Sequence, residues 1–212
     1  LPPEPLILGF DTSVAHCAAT LLSGNRVLGE RIEPMQKGQA ERLMPLLEEL
    51  LEAAGMGWSS LAAIGTGIGP GNFTGIRIAV SAARGLALSL KIPAVGVSTF
   101  EALCHGTDGT VVTSVDGRRG EIYVQTPEAT PVRCTLESLP PVPEGSRPHV
   151  IGHRAEEIAD QYGGCSVEAA YSVPVAIARV AALRRSGAAM RPAPLYIRTA
   201  IAAPPRSAGV WN

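Results

Sequence analysis

An α/β fold of two similar lobes in tandem is predicted by three observations. Short apolar runs alternate with helix-period segments along the whole chain. A strand, aspartate, turn, strand pattern occurs twice, as LILGFDTSVAHCAATLL and as TVVTSVDGRRGEIYVQT, which gives Asp11 and Asp116 matching places half a chain apart. With 212 residues, 46% hydrophobic and 17% charged, the chain can bury the core of one large or two small domains.

From the N-terminus, PLILGFDTS is a short apolar strand ending in an acid and two hydroxyls. AHCAATLLSGN and RVLGERI read as two more strands joined by Ser-Gly-Asn. QAERLMPLLEELLEAAG places Leu43, Leu46, Leu47, Leu50, Leu51 and Ala54 at helical spacing with acids between, and Gly55 is a ready stop. Pro45 has to lie in the first turn of this helix or bend it. LAAIGTG is strand-like, FTGIRIAVSAARGLALSLK helical and PAVGV strand-like, and TFEALC opens a short helix. After the strand pair around Asp116, VRCTL and PHVIG read as strands, RAEEIADQY and SVPVAIARVAALRRSG as helices, and PLYIR as a last strand; the proline-rich SLPPVPEGSRP is a surface loop. A meander, a helix, a parallel strand, a helix and a further strand make the ribonuclease-H-like unit. The order therefore predicts two such lobes in tandem, at 1–106 and 107–212 with the second reduced, the plan of actin, sugar kinases and Hsp70.

The formal net charge of −1 gives no global attraction to nucleic acid or membrane. It conceals an asymmetry, because no acid follows Glu168 whereas Arg179, Arg184, Arg185, Arg191, Arg198 and Arg206 do. With Arg118 and Arg119 these could add contacts to nucleic-acid phosphates, or they could simply be solvated or cap helix ends. Only Tyr196 and Trp211 accompany the tail as aromatics, a weak basis for direct RNA recognition. Cys17, Cys104, Cys134 and Cys165 form no C-x-x-C pair, as expected of small buried hydrophobes in a reducing compartment. No charged-then-apolar leader opens the sequence and no apolar stretch nears eighteen residues. The expectation is a cytoplasmic protein without a membrane partner.

The glycine-rich GIGPGNFTGIR resembles a phosphate loop but lacks the lysine of a P-loop and the third glycine of a dinucleotide fingerprint. Its amides could still form an anion nest with Asn72 or Thr74 as helix cap, against a purely structural turn. The helix that follows carries Gly75, Ala79, Ala83 and Ala87 at four-residue spacing, with Ile76 and Val80 beside them. Such a ridge admits a second helix closely. It either packs on the Leu43/Leu47 helix of the same chain or forms a four-helix contact with a partner, in which case Leu43, Leu47, Gly75, Ile76, Ala79, Val80, Ala83 and Ala87 are the interface.

Asp11, Thr12, Ser13 and Asp116 are the candidates for holding a nucleotide between the lobes, with the ordinary role of satisfying turn amides as the preferred alternative. Asp11, Ser13 and His16 invite a hydrolase reading, but no G-x-S-x-G elbow surrounds the serine. His149 and His153 have metal-pair spacing only if helical, and PHVIGH reads as a strand and turn.

ILGFDTS, AERLMPLLEELLEAAG, GIGPGNFTGIRIAVSAARGLALSLKIPAVGVSTFEAL, VDGRRGEIY and PLYIR together resemble the TsaB (YeaZ) family over about residues 6 to 198, with Gly-Pro-Gly-x-Phe-Thr-Gly-x-Arg the most specific part. The resemblance implies a dimerisation subunit of the bacterial machinery that makes N6-threonylcarbamoyladenosine at position 37 of tRNAs. It would pair with a TsaD-like transferase subunit, join a TsaE-like ATPase, meet tRNA only weakly or indirectly, and be either a monomer or a homodimer when isolated. No catalytic residue, metal or cofactor is implied for the isolated chain, with ATP only within the complex. The metal-binding histidines of the related TsaD subunits correspond here to Thr99 and Leu103, and Gln39 stands where many TsaB members carry histidine. The alternative is a free-standing ATP-dependent phosphotransferase or acyl-transfer enzyme of the same fold that uses Asp11 and Asp116.

Overall fold

Strands β1 (Leu6–Asp11), β2 (His16–Ser23) and β3 (Arg26–Pro34) form the expected antiparallel meander, and β4 (Leu61–Gly67) and β5 (Ala94–Val97) extend it in parallel to the order β3-β2-β1-β4-β5. This computed structural model describes residues 4–186 and 191–197. Helices α1 (Gln39–Ala53), α2 (Phe73–Leu90) and α3 (Thr99–Cys104) follow the sequence periodicity. In α1 the five leucines at helical spacing are buried, each contributing about 2 kcal/mol of apolar burial. Pro45 is exposed in the second turn of that helix.

The second sheet repeats the first. β6 (Val111–Arg118), β7 (Glu121–Gln125) and β8 (Val132–Cys134) are antiparallel, and β9 (His149–Gly152) and β10 (Cys165–Ser166) add in parallel on the far side of β6. The two topologies are the same, so the matched aspartates lie on matched central strands. The second lobe is reduced because a 3₁₀ turn at Leu136–Ser138 and the proline-rich loop stand where the first lobe has α1. Helices α4 (Ala155–Tyr162) and α5 (Val173–Arg184) complete it.

Two expectations need correction. PLYIR forms no strand over its described part, residues 194–197, because Pro192 and Pro194 withdraw two backbone donors; a single bond from Leu195 N to Ile68 O (2.8 Å) ties it to the first lobe. Arg198, Arg206 and Trp211 lie outside the described residues. Helix α2 is, against expectation, eighteen residues long with a mean hydropathy of 1.2, long and apolar enough to cross a membrane. It packs on β4 through Ile76, Ala79, Val80 and Ala83 and carries Arg77 and Arg84 on its exposed side.

The boundary at 106/107 divides the sequence repeat but not the packing. α5 lies on β1, β2 and β4 of the first sheet, while α3 lies on β6 and β9 of the second. A Cβ on Gly9 would meet Ala178 and the Pro174 carbonyl at 2.7–2.9 Å, and one on Gly65 would meet Ala181 and Ile177 at 2.9 Å. This close helix–sheet approach, built from glycine against alanine, locks the C-terminal helix onto the first lobe.

Candidate functional site

At the C-terminal end of β1 the chain turns through Asp11, Thr12 and Ser13, all fully buried. Asp11 Oδ2 accepts hydrogen bonds from Ser13 N (3.0 Å) and Ser13 Oγ (2.9 Å), and lies 2.8 Å from His16 Nε2. Serine and histidine both turn to the aspartate. A hydrolytic triad needs the imidazole between them, so this arrangement cannot activate Ser13. In the second lobe Asp116 Oδ1 accepts from Arg118 N (2.8 Å), the same bond two residues on. Both repeated aspartates thus close the turn after their strand.

The glycine loop fills the space beside the first turn. Asn72 N donates to Ser13 O (2.5 Å), Thr12 Oγ1 donates to Gly75 O (2.7 Å), and a side chain at Gly71 or Gly75 would overlap the carbonyls of Ser13 or Thr12. Asn72 caps α2, its Oδ1 accepting from Thr74 N (3.0 Å) and Gly75 N (3.3 Å). The amides of Asn72, Thr74 and Gly75 are therefore engaged within the chain. Thr99 and Leu103, which the resemblance sets against the metal histidines of TsaD subunits, do not fit a metal, since Thr99 donates its hydroxyl to Pro70 O (3.0 Å) and Leu103 offers no ligand atom. Gln39 Nε2 bonds to Met35 O (3.1 Å). Among the described residues no three His, Cys, Asp or Glu side chains are gathered as a metal cluster would require. His149 and His153 have separate partners, Asp108 O at 3.2 Å and Asp116 at 3.9 Å. Burial pushes the Cys17 thiol up to about 11, with Glu33 adding to it, which leaves it without nucleophilic character at neutral pH.

Between the two turns a cleft of about 280 Å³ is lined by Ser13, Gln36, Asn72, Asp116 and Arg118. A larger groove of about 510 Å³ runs over the outer surface between α1 and α2. The small-residue ridge does not form that groove. Leu47, Gly75, Ile76, Ala79, Val80 and Ala83 are buried inside the chain, Leu43 is buried at the groove's edge, and Ala87 is half-buried. Helix α2 turns the ridge inward, onto the sheet and α1. The outward face is formed by Met44, Phe73, Arg77, Ile78 and Ala82, with Phe73 53% and Met44 41% exposed. Arg77 stacks 3.9 Å above the Phe73 ring and donates to the Tyr196 hydroxyl (3.3 Å), whose ring lies 5.8 Å from Phe73. Sequence reasoning passed over these residues. The signal that could have found them was an aromatic at the first position of α2 and a methionine among the acids of α1.

A family model described as TsaD, tRNA N6-adenosine threonylcarbamoyltransferase, matches residues 28–135, half of the chain. The chain is 33% identical over 122 residues to the tRNA threonylcarbamoyladenosine biosynthesis protein TsaB of Escherichia coli, and 38% identical over 120 residues to that of Bacillus subtilis. Each alignment covers 55% of this chain, and the chain spans about half the length of these curated relatives, 52% in both cases. Among solved structures, a Pseudomonas aeruginosa protein described as similar to the peptidase YEAZ matches 92% of this chain and all of its own, with a TM-score of 0.73 and 25% identity. The component A of (R)-2-hydroxyglutaryl-CoA dehydratase from Acidaminococcus fermentans shares the fold at a TM-score of 0.55 and 12% identity.

Proposed function

The chain belongs to the TsaD family, on its TsaB (YeaZ) branch, and from that premise we propose that it is a non-catalytic subunit for tRNA threonylcarbamoyladenosine synthesis that docks a TsaD-type transferase through α1 and α2. The observation that carries the reading is the exposed apolar groove of Met44, Phe73, Ile78 and Ala82 between α1 and α2. Two helices with such a face can pair with two like helices of a related subunit. A chemical role has no comparable support. The Asp11 oxygen that would serve it is shared by three donors, and the glycine loop is plugged against Thr12 and Ser13. In this reading a TsaE-like ATPase, ATP and tRNA act on the assembled complex, in the cytoplasm, and the isolated chain pairs with itself through the same groove.

The test is co-purification of the chain with the TsaD-type subunit of its own source, followed by calorimetry of the isolated chain with ATP and magnesium. A stable complex and no heat of ATP binding are expected. Micromolar ATP binding with turnover by the isolated chain, lost on Asp11→Ala, would instead establish the free-standing enzyme.

A further inference from the structure

Five non-glycine residues adopt a left-handed backbone among those described, and three of them are arginines at one end of the second sheet. Arg118 (φ 65°) and Arg119 (φ 54°) form the tip of the β6–β7 hairpin, and Arg154 (φ 56°) begins α4 directly after β9. Because β6 and β9 are parallel neighbours, their C-terminal ends share one edge, and Asp116 and His153 meet across it at 3.9 Å. Arg118 pairs with Glu121, which leaves Arg119 and Gly120 (φ 81°) as a two-residue connection with both φ positive. Asparagine and glycine suit such a turn, and arginine is strained in it. Arg154 is equally ill-suited to the start of a helix, where a small polar residue caps better and a cation opposes the helix dipole.

The strain is not repaid by ion pairing at the hairpin. Glu121 is taken by Arg133 and Arg154 by Glu157, and among the described residues no carboxylate lies within ion-pair distance of Arg118 or Arg119. Arg118 lines the cleft opposite the neutral polar groups of Ser13, Gln36 and Asn72, and Arg119 is exposed beside it. Asn72 N, Thr74 N and Gly75 N of the first-lobe loop are engaged within the chain, so the cations at this mouth, beside the exposed Asp116, are the charged anion-binding groups the cleft offers. We infer that the Arg118–Arg119 hairpin grips the phosphodiester backbone of RNA at the mouth of the inter-lobe cleft. The choice of RNA over other phosphates rests on the proposed role in tRNA modification; the arginine site itself does not.

The experiment measures binding of a labelled RNA stem-loop to the full chain from about 50 mM salt upward, for the native protein and for Arg118→Gly/Arg119→Asn. That double change restores the residues the turn prefers. The expected result is a loss of about tenfold in affinity at low salt, a salt dependence shallower by about two released ions, and a melting temperature equal to or above the native one. A merely structural arginine pair would not lose RNA while gaining stability. The proposal is overturned if the native chain fails to bind RNA at low salt, if the variant binds equally well, or if ATP or inorganic phosphate competes at concentrations where it saturates the site in place of RNA. Co-purification with the TsaD-type subunit, run in parallel, separates the two readings. RNA binding lost with the arginines but no complex formed would sink the subunit role and leave this site standing.

Discussion

Thr12 Oγ1 donates to the carbonyl of Gly75 across 2.7 Å, while the carbonyl of Thr12 occupies the space where a side chain on Gly75 would begin. The two residues are 63 positions apart, and they hold the first turn and the glycine loop face to face. The loop is thus required for its shape, which lets α2 start directly against the end of β1.

Gly75→Ala forces a methyl group into backbone that cannot yield, at a cost of about 3 kcal/mol. Gly85 lies in the same helix with nothing near its Cα, so Gly85→Ala is expected to stabilise by roughly 0.5–1 kcal/mol through helix propensity. Chemical denaturation of the two variants checks the pair. Equal effects would show that α2 is not pinned at the Thr12 contact.

Ala79 and Ala83 face the core, whereas Ala82 faces the groove. Ala83→Arg buries an unpaired charge and is expected to unfold the lobe. Ala82→Arg is expected to melt within a few degrees of the native protein, yet to abolish co-purification with a TsaD-type subunit. Size-exclusion chromatography of the mixture reads the second effect. An Ala82→Arg chain that still co-elutes with the subunit at native affinity would move the interface elsewhere.

Glu101 joins the two lobes, since it caps α3 through Ser98 and reaches Arg184 of α5 at 2.6 Å. Burial raises its pKa, but bonds from Ser98 N, from Arg184 and from the Ser98 hydroxyl outweigh this and hold the carboxyl below the ordinary carboxylate range. A carboxyl that is more acidic folded than unfolded adds stability above its unfolded value, and loses it as pH falls through the folded one. His105 lies below its usual value because of burial and then of Arg179 and Arg184, so the unfolded chain takes up that proton first and stability also falls on acidification below about 6.5. Glu101→Gln is therefore expected to cost about 1 kcal/mol near neutral pH, and the gap to the native protein to narrow as the pH drops below about 4. Thermal melts of both proteins from neutral to acid pH test this. A gap that stays constant with pH would mean that the carboxylate charge contributes nothing.

The strands and helices of the first lobe were legible because each follows one period over enough residues. The five leucines of α1 fall on one helical face, and LILGF and LAAIG are uninterrupted apolar runs. The duplication was legible too, since turn chemistry repeats locally, and the bond of each aspartate to the amide two residues on is a short-range matter that sequence dictates. β10, only two residues long, carries no period to read.

What the sequence by itself determined is the two-lobed plan, the aspartate turns and the family motif of the glycine loop. Only the tertiary structure decided which way α2 faces. A ridge of small residues suits close packing equally well inside a chain or between chains, and periodicity does not distinguish the two. The sheet and α1 took the ridge, which left Met44, Phe73, Ile78 and Ala82 outside. Tertiary structure likewise decided that α5 returns to the first lobe and α3 serves the second, because helix–sheet pairing depends on which glycines open a close approach. It also gathered Arg118, Arg119 and Arg154 at one end of the second sheet, since the parallel pairing of β6 and β9 sets residues far apart in the chain on a common edge.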